Sequence, residues 1–299
     1  MIAFERFTKR YASHAAVEDL TLEVGRGETV ALLGPNGSGK TTCLKAAAGL
    51  LRPTTGRVRV GEPPRDAEDP AAREVLSFLP QKVAFADSLS GREVIEFYRR
   101  LRGLDGARTE QALRLASLNG AGARLVGTYS GGMLQRLGLA VAVLPDADLL
   151  LLDEPTAALD PDGLCAFYGL VEERRRQGRT VLFTSHQLGD VERLADRFVI
   201  LVGGRTVASL SQGELAERLS ERGFMRLRLG ARPEWLLGRV RAVAPRATWS
   251  GEELIVPGPT AVRPAVLDVV RDAGVEIRAL GVEEGRLDTL YRELVEAPR

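Results

Sequence analysis

Cysteine, histidine and methionine are nearly missing from these 299 residues, at two Cys, two His and three Met. Cys43 and Cys165 are too few and too far apart for a disulfide framework or a cysteine-based zinc site, and both read as small core residues. None of the soft ligands sits at metal-ligand spacing, so no Cu(I) site is expected on this chain. Charge of one sign is missing as well. Lys plus Arg number 41 and Asp plus Glu 40, and this net charge of +1 removes the electrostatic signature of a nucleic-acid binder. Long apolar runs are also absent. The longest candidate, Leu137 to Leu152, is broken by Pro145, Asp146 and Asp148 and cannot cross a bilayer. Met1 to Arg10 carries Glu5, Arg6, Lys9 and Arg10 in place of the apolar stretch of a secretory signal. These absences predict a cytoplasmic protein that reaches a membrane only through a partner.

What is there is an ordinary globular composition, 44% hydrophobic and 27% charged, in a length that suits about two domains. Thr29 to Leu33 is a short apolar run ending at Gly34, and a helical stretch follows from Lys40 to about Leu50. Val58 to Val60 reads as a short strand, and Ser90 to Leu144 is mostly helical in period. The apolar runs Leu149 to Leu152 and Thr180 to Thr184 predict central strands of a parallel sheet, with Gly163 to Gln177 as the crossover helix. Phe198 to Val202 ends this α/β pattern. After about Ser220 the order becomes βαββαβ plus a last helix, which predicts a small α+β, ferredoxin-like unit.

Gly34-Pro35-Asn36-Gly37-Ser38-Gly39-Lys40-Thr41-Thr42 fits the pattern G-x-x-x-x-G-K-[ST] without a mismatch. Glycines let successive N–H groups turn inward, and the helix that follows adds its positive end. Such a loop binds a nucleoside triphosphate; Lys40 can reach the β- and γ-phosphates and Thr41 can ligate Mg²⁺. Asp153 and Glu154 follow a buried apolar strand, at the edge where open α/β sheets bind ligands. Asp153 there can hold Mg²⁺, and Glu154 can polarise a water for attack on the γ-phosphate.

Tyr129-Ser130-Gly131-Gly132-Met133-Leu134-Gln135-Arg136 precedes that acidic pair and resembles the LSGGQ element of ATP-binding-cassette (ABC) ATPases, with Tyr129 for the usual Leu and Met133 for the usual Gln. Further elements fall in the family's order over residues 1–218. By resemblance, Tyr11 matches the aromatic residue that stacks on adenine, Pro53-Thr54-Thr55-Gly56 the segment after the phosphate helix, Gln81 the Q-loop, Ala158-Leu159-Asp160 the D-loop, and His186 the switch histidine. The resemblance implies a P-loop NTPase cassette, a RecA-like core with a helical subdomain at about 82–145, and the change of pattern beyond it leaves 219–299 as an accessory domain. It implies catalysis by Glu154, His186 and Gln81, with Mg²⁺ on Thr41, Gln81 and Asp153. ATP is expected on Tyr11, on Gly34 to Thr42, and on Ser130, Gly131, Gly132 and Asp160 contributed to the site of the other subunit in a two-fold sandwich. Simpler readings stay open for single residues: edge-strand packing for Tyr11, helix capping for Asp160, a loop position for Gln81 and a strand end for His186.

Lys40 and Asp153 lie 113 residues apart with no heptad segment between them, unlike repair and chromosome-maintenance ABC proteins, and one cassette is present rather than two. A transporter ATPase at the cytoplasmic face of the cell membrane is therefore expected, docked on an integral-membrane permease through the segment Val83-Ala84-Phe85 and the helix from Arg92 to Arg100. Leu79 to Phe85, Leu89 to Glu93, Thr128 to Ala140 and the tail Leu287 to Arg292 resemble the ATPase subunit of the copper-associated transporter that matures nitrous oxide reductase. That resemblance implies copper handled by the permease and an extracytoplasmic partner. Exporters of drugs, lipids or peptides share parts of the pattern and form the alternative. A soluble nucleic-acid-associated ABC ATPase is the alternative of another class.

Overall fold

In the computed structural model, which describes residues 1–118 and 120–296, the chain divides into two compact units, the first spanning Met1–Ser209 and the second beginning at Leu210. The first opens with an antiparallel hairpin, β1 (Ile2–Tyr11) and β2 (His14–Val24). β3 (Thr29–Leu33) leads into helix α1 (Lys40–Ala47). Next come β4 (Thr55–Val60), β5 (Arg65–Asp66) and β6 (Leu76–Leu79). Three helices follow, α2 (Gly91–Leu101), α3 (Ala107–Leu115) and α4 (Gly131–Val143). The unit is completed by β7 (Leu149–Leu152), α5 (Pro161–Arg176), β8 (Thr180–Thr184), α6 (Leu188–Leu194), β9 (Arg197–Val202) and β10 (Arg205–Ser211).

Two sheets result, one in the order β2-β1-β4-β5 and one in the order β10-β9-β3-β8-β7-β6. In the second, β3, β7 and β8 are buried along their whole length, as parallel strands covered on both faces must be. Phe4 and Phe7 of β1, Leu20 and Leu22 of β2 and Leu44 of α1 share one apolar core with Leu32, Leu151, Leu182 and Val199 of the parallel sheet. Helices α2 to α4 have a core of their own, built on Ile95, Leu113, Tyr129 and Leu137. A capping box between Ser90 and Glu93 fixes the start of α2. Asp160 caps α5 ahead of Pro161, an efficient start signal.

The second unit comprises α7 (Gln212–Glu221), β11 (Phe224–Leu229), α8 (Glu234–Arg241), β12 (Thr248–Ser250), β13 (Glu253–Pro257), α9 (Arg263–Asp272), β14 (Ile277–Glu283) and α10 (Leu287–Glu296). Its sheet runs β12-β13-β11-β14 with every neighbouring pair antiparallel. Met225, Leu227 and Leu254 alternate onto the face covered by Leu236 and Val240 of α8 and Val266 and Val270 of α9. The division between the units falls nine residues before the expected one at 218/219, which lies inside α7.

Candidate functional site

Four strand ends meet at the carboxyl edge of the parallel sheet. Leu32 of β3 pairs with Thr184 of β8, Phe183 with Leu152 of β7, and Leu152 with Leu79 of β6. The loops after these strands therefore emerge side by side and carry Gly34 to Lys40, His186, Asp153 with Glu154, and Gln81. The loop after β3 depends on glycine at defined points. Gly34 has φ 150°, and a Cβ there would lie 2.1 Å from the Leu201 carbonyl oxygen; Gly39 has φ 103°, with the Ala16 carbonyl oxygen 2.5 Å from such a Cβ. Pro35, Asn36 and Gly37 are exposed, whereas Ser38 is buried and its Oγ has no partner. A buried hydroxyl without a partner, in a loop that opens a helix, suits an anionic ligand. Lys40 Nζ folds over the loop and donates to the carbonyl oxygens of Gly34 (2.7 Å) and Pro35 (3.1 Å). Burial pushes the Lys40 ammonium down from its ordinary pKa, and the carboxylates of Glu154 and Asp153 oppose that shift.

Asp153 is 1% exposed. Its Oδ1 accepts from Thr184 Oγ1 at 2.8 Å, while Oδ2 is buried without a partner. Burial raises the Asp153 pKa, and hydrogen bonds from Thr184 and Thr41 pull it back. A desolvated carboxylate oxygen beside the Thr41 hydroxyl is the donor set a hard divalent cation prefers, so the residues present fit Mg²⁺. Glu154 adopts φ 49°, a left-handed conformation that costs about 1–3 kcal/mol for a non-glycine residue. Its N–H donates to Thr184 Oγ1 (2.8 Å), and its Oε2 lies 3.3 Å from His186 Nδ1. Thr184 thus orders both acids with one hydroxyl. In the sequence Thr184 reads only as the end of a strand; it lies 30 residues from Glu154, and nothing local marks this link.

Ser130, Gly131, Gly132 and Asp160 form a second group. Ser130 Oγ caps α4 by accepting from Met133 N–H at 3.3 Å. Gly131 has open space around it, and a Cβ on Gly132 would meet the Ala158 carbonyl oxygen at 2.8 Å. Asp160 accepts from Gly163 N–H (2.9 Å) and pairs with Arg136 (3.3 Å). The capping role is therefore present, and the ion pair ties this segment to α4. Gln135 Nε2 donates to Pro155 O at 3.2 Å, a buried link from α4 to the loop of Glu154. Tyr129, the departure from the usual Leu, fills the core of the helical layer and donates its hydroxyl to Ala121 O (2.8 Å). Gln81 is exposed just beyond β6. Tyr11, 48% exposed at the end of the hairpin, has Lys9 Nζ 5.3 Å from its ring centroid.

A family model described as "ABC transporter" matches residues 17–157, from β2 through the phosphate loop and the segment 130–132 to Asp153 and Glu154. The daunorubicin resistance ATP-binding protein DrrA3 of Streptomyces coeruleorubidus is 33% identical over 296 residues, covering 96% of this chain and 93% of the relative. Nod factor export ATP-binding protein I of Rhizobium etli is 33% identical, over 88% of this chain and 84% of that protein. A solved dimeric ATP-binding cassette in a post-hydrolysis state, bound to ADP and Pi, superimposes with a TM-score of 0.66 at 24% identity over 71% of this chain and 99% of its own. The chain belongs to the ATP-binding subunits of ABC transporters. It has the mixed α/β cassette fold of that family, and it is an ATPase. The narrower copper-associated resemblance is not supported by these relatives, which are named for drug resistance and for export; the exporter alternative fits them better. Among the described residues, no helix is long and apolar enough to cross a membrane.

Proposed function

We propose that the protein is the ATP-hydrolysing motor of a membrane exporter for a drug-, lipid- or peptide-like cargo, peripheral at the cytoplasmic face. The observation that carries this reading is the convergence of Lys40, Asp153, Glu154 and His186 on one sheet edge, in a chain alignable almost end to end with a drug-resistance ATPase. Glu154 is the general base toward the attacking water, and His186 holds both that carboxylate and the γ-phosphate. Lys40 and the N–H groups of Gly34 to Thr42 cradle the phosphates, and Tyr11 stacks on adenine. Thr41, Asp153 and Gln81 would hold Mg²⁺, which when bound would neutralise charge on the β- and γ-phosphates. Ser130, Gly131, Gly132 and Asp160 complete the site of a second copy, a reading supported by the dimeric cassette of like fold.

The permease docks on the segment Val83-Ala84-Phe85 and the helix from Arg92 to Arg100, whose exposed Phe97 and neighbouring Leu101 flank a groove lined by Leu50, Arg73, Tyr98, Arg102 and Val141. The unit over 219–299, with its βαββαβ order, is a ferredoxin-like accessory domain that supports self-association. Purification with a polytopic membrane protein, followed by ATP-dependent efflux from vesicles, tests the reading. Delivery of metal to an acceptor would favour the copper-associated system, and stimulation by DNA or ribosomes without a membrane partner would overturn the transporter.

A mixing experiment addresses the composite site. A Ser130→Arg subunit combined with a Lys40→Ala subunit retains at most one complete site per dimer, so some ATPase activity returns on mixing two nearly inactive preparations. Activity that is independent of protein concentration down to the monomer would exclude the sandwich.

A further inference from the structure

Asp190, on α6, is 2% exposed and has no assigned part in the site. Its partners are hydroxyl groups from three other elements. Thr156 Oγ1 donates to Oδ2 at 2.6 Å, and Tyr168 OH of α5 donates to Oδ1 at 2.6 Å. Ser185 Oγ lies 3.3 Å from Oδ2 and 3.2 Å from Gln187 O, so its single proton serves one of these at a time. A buried carboxylate is costly unless such donors surround it, and donors aimed at both oxygens fix its rotamer. Burial and the neighbouring Asp190 push the Tyr168 phenol up to about 12, in keeping with its hydroxyl donating to that carboxylate.

Placement gives this cluster its meaning. Thr156 is two residues beyond Glu154, and Ser185 immediately precedes His186. Pro155, between Glu154 and Thr156, is held from the other side by Gln135 of α4. Both loops therefore reach Asp190 through buried hydroxyls while their reactive side chains meet 3.3 Å apart.

We infer that Asp190 is a positioning residue for ATP hydrolysis, which through Thr156 and Ser185 holds the Glu154 loop in register with the His186 loop. The inference rests on the roles proposed above for Glu154 and His186. Asp190 is buried with both oxygens engaged by hydroxyls, so its loss acts on turnover rather than on ATP binding.

The decisive pair is Thr156→Val, which keeps the side-chain shape and removes the hydroxyl, and Thr156→Ser, which keeps the hydroxyl. Steady-state ATPase assays of the full chain should show kcat about tenfold lower for Thr156→Val, within the ~10²-fold that a misplacement of about 1 Å costs, with KM for ATP within about twofold of wild type. Thr156→Ser should recover kcat to within about twofold, and Asp190→Asn should behave like Thr156→Val. In a His186→Ala background, Thr156→Val should add almost nothing, because both changes disable one unit. Wild-type kcat in Thr156→Val, equal losses in Thr156→Ser and Thr156→Val, or multiplied losses in the double variant would each overturn the inference. Should Asp190→Asn fail to fold, the Thr156 pair decides alone. Full activity in Glu154→Gln and His186→Ala would instead sink the underlying assignment. Inactivity there, with an unaffected Thr156→Val, would sink only the role of Asp190.

Discussion

Glu154→Gln should bind ATP with near-normal affinity and hydrolyse it at least ~10²-fold more slowly, the loss expected when a general base is removed. The substitution keeps the shape of the side chain and its N–H bond to Thr184, so the loop conformation at φ 49° is preserved. What it removes is the proton acceptor beside His186. With hydrolysis blocked, the ATP-bound dimer should accumulate, and size-exclusion chromatography with and without ATP would detect it. Turnover close to wild type would require another base. His186 and Asp153 are the groups to try next, since both border the same edge.

Lys40→Ala should act earlier, on binding itself. Hydrogen bonds to charged groups contribute about 1.5–3 kcal/mol each, so losing the ammonium should weaken ATP binding by roughly 10- to 100-fold. The same nitrogen clips the carbonyls of Gly34 and Pro35, so the phosphate loop should also become less ordered without it. Calorimetry with a non-hydrolysable ATP analogue separates these variants: Lys40→Ala loses affinity, and Glu154→Gln keeps it. Unaltered affinity in Lys40→Ala would falsify the cradle role of the loop.

The legible part of this molecule is the part whose chemistry is contiguous in the chain. Leu149 to Leu152 and Thr180 to Thr184 fall on β7 and β8 as expected, because strands buried on both faces must be continuously apolar. The phosphate loop and the Asp153-Glu154 pair could be read for the same reason. The N-terminal hairpin could not. Register shifts between Phe4 and Phe7, and again between Phe7 and Lys9, break the alternation of β1 after Phe4, and in β2 it holds only over Leu20, Leu22 and Val24. β6 is four residues long and includes the buried Ser77, too little for a pattern. In the second unit the elements were legible from Phe224 onward, whereas α7, which precedes them, was absorbed into the first domain. The links among Thr184, Gln135, Thr156 and Asp190 lie outside any local pattern. Each joins residues 20 to 34 positions apart through ordinary side chains, and only the sheet topology brings them together.

The Gln135–Pro155 bond has a mechanical consequence. Together with the Arg136–Asp160 pair and the close seat of Gly132 on Ala158, it bolts α4 to both ends of the short segment from Pro155 to Asp160. The amino end of α4 is the surface proposed above to meet a second copy, and the amino end of that segment adjoins Glu154. A tilt of α4 must therefore drag the loop of Glu154 or break the buried Gln135–Pro155 bond and the Arg136–Asp160 pair. In the sandwich proposed above, α4 would therefore act as a lever between the neighbour's nucleotide and this subunit's Glu154.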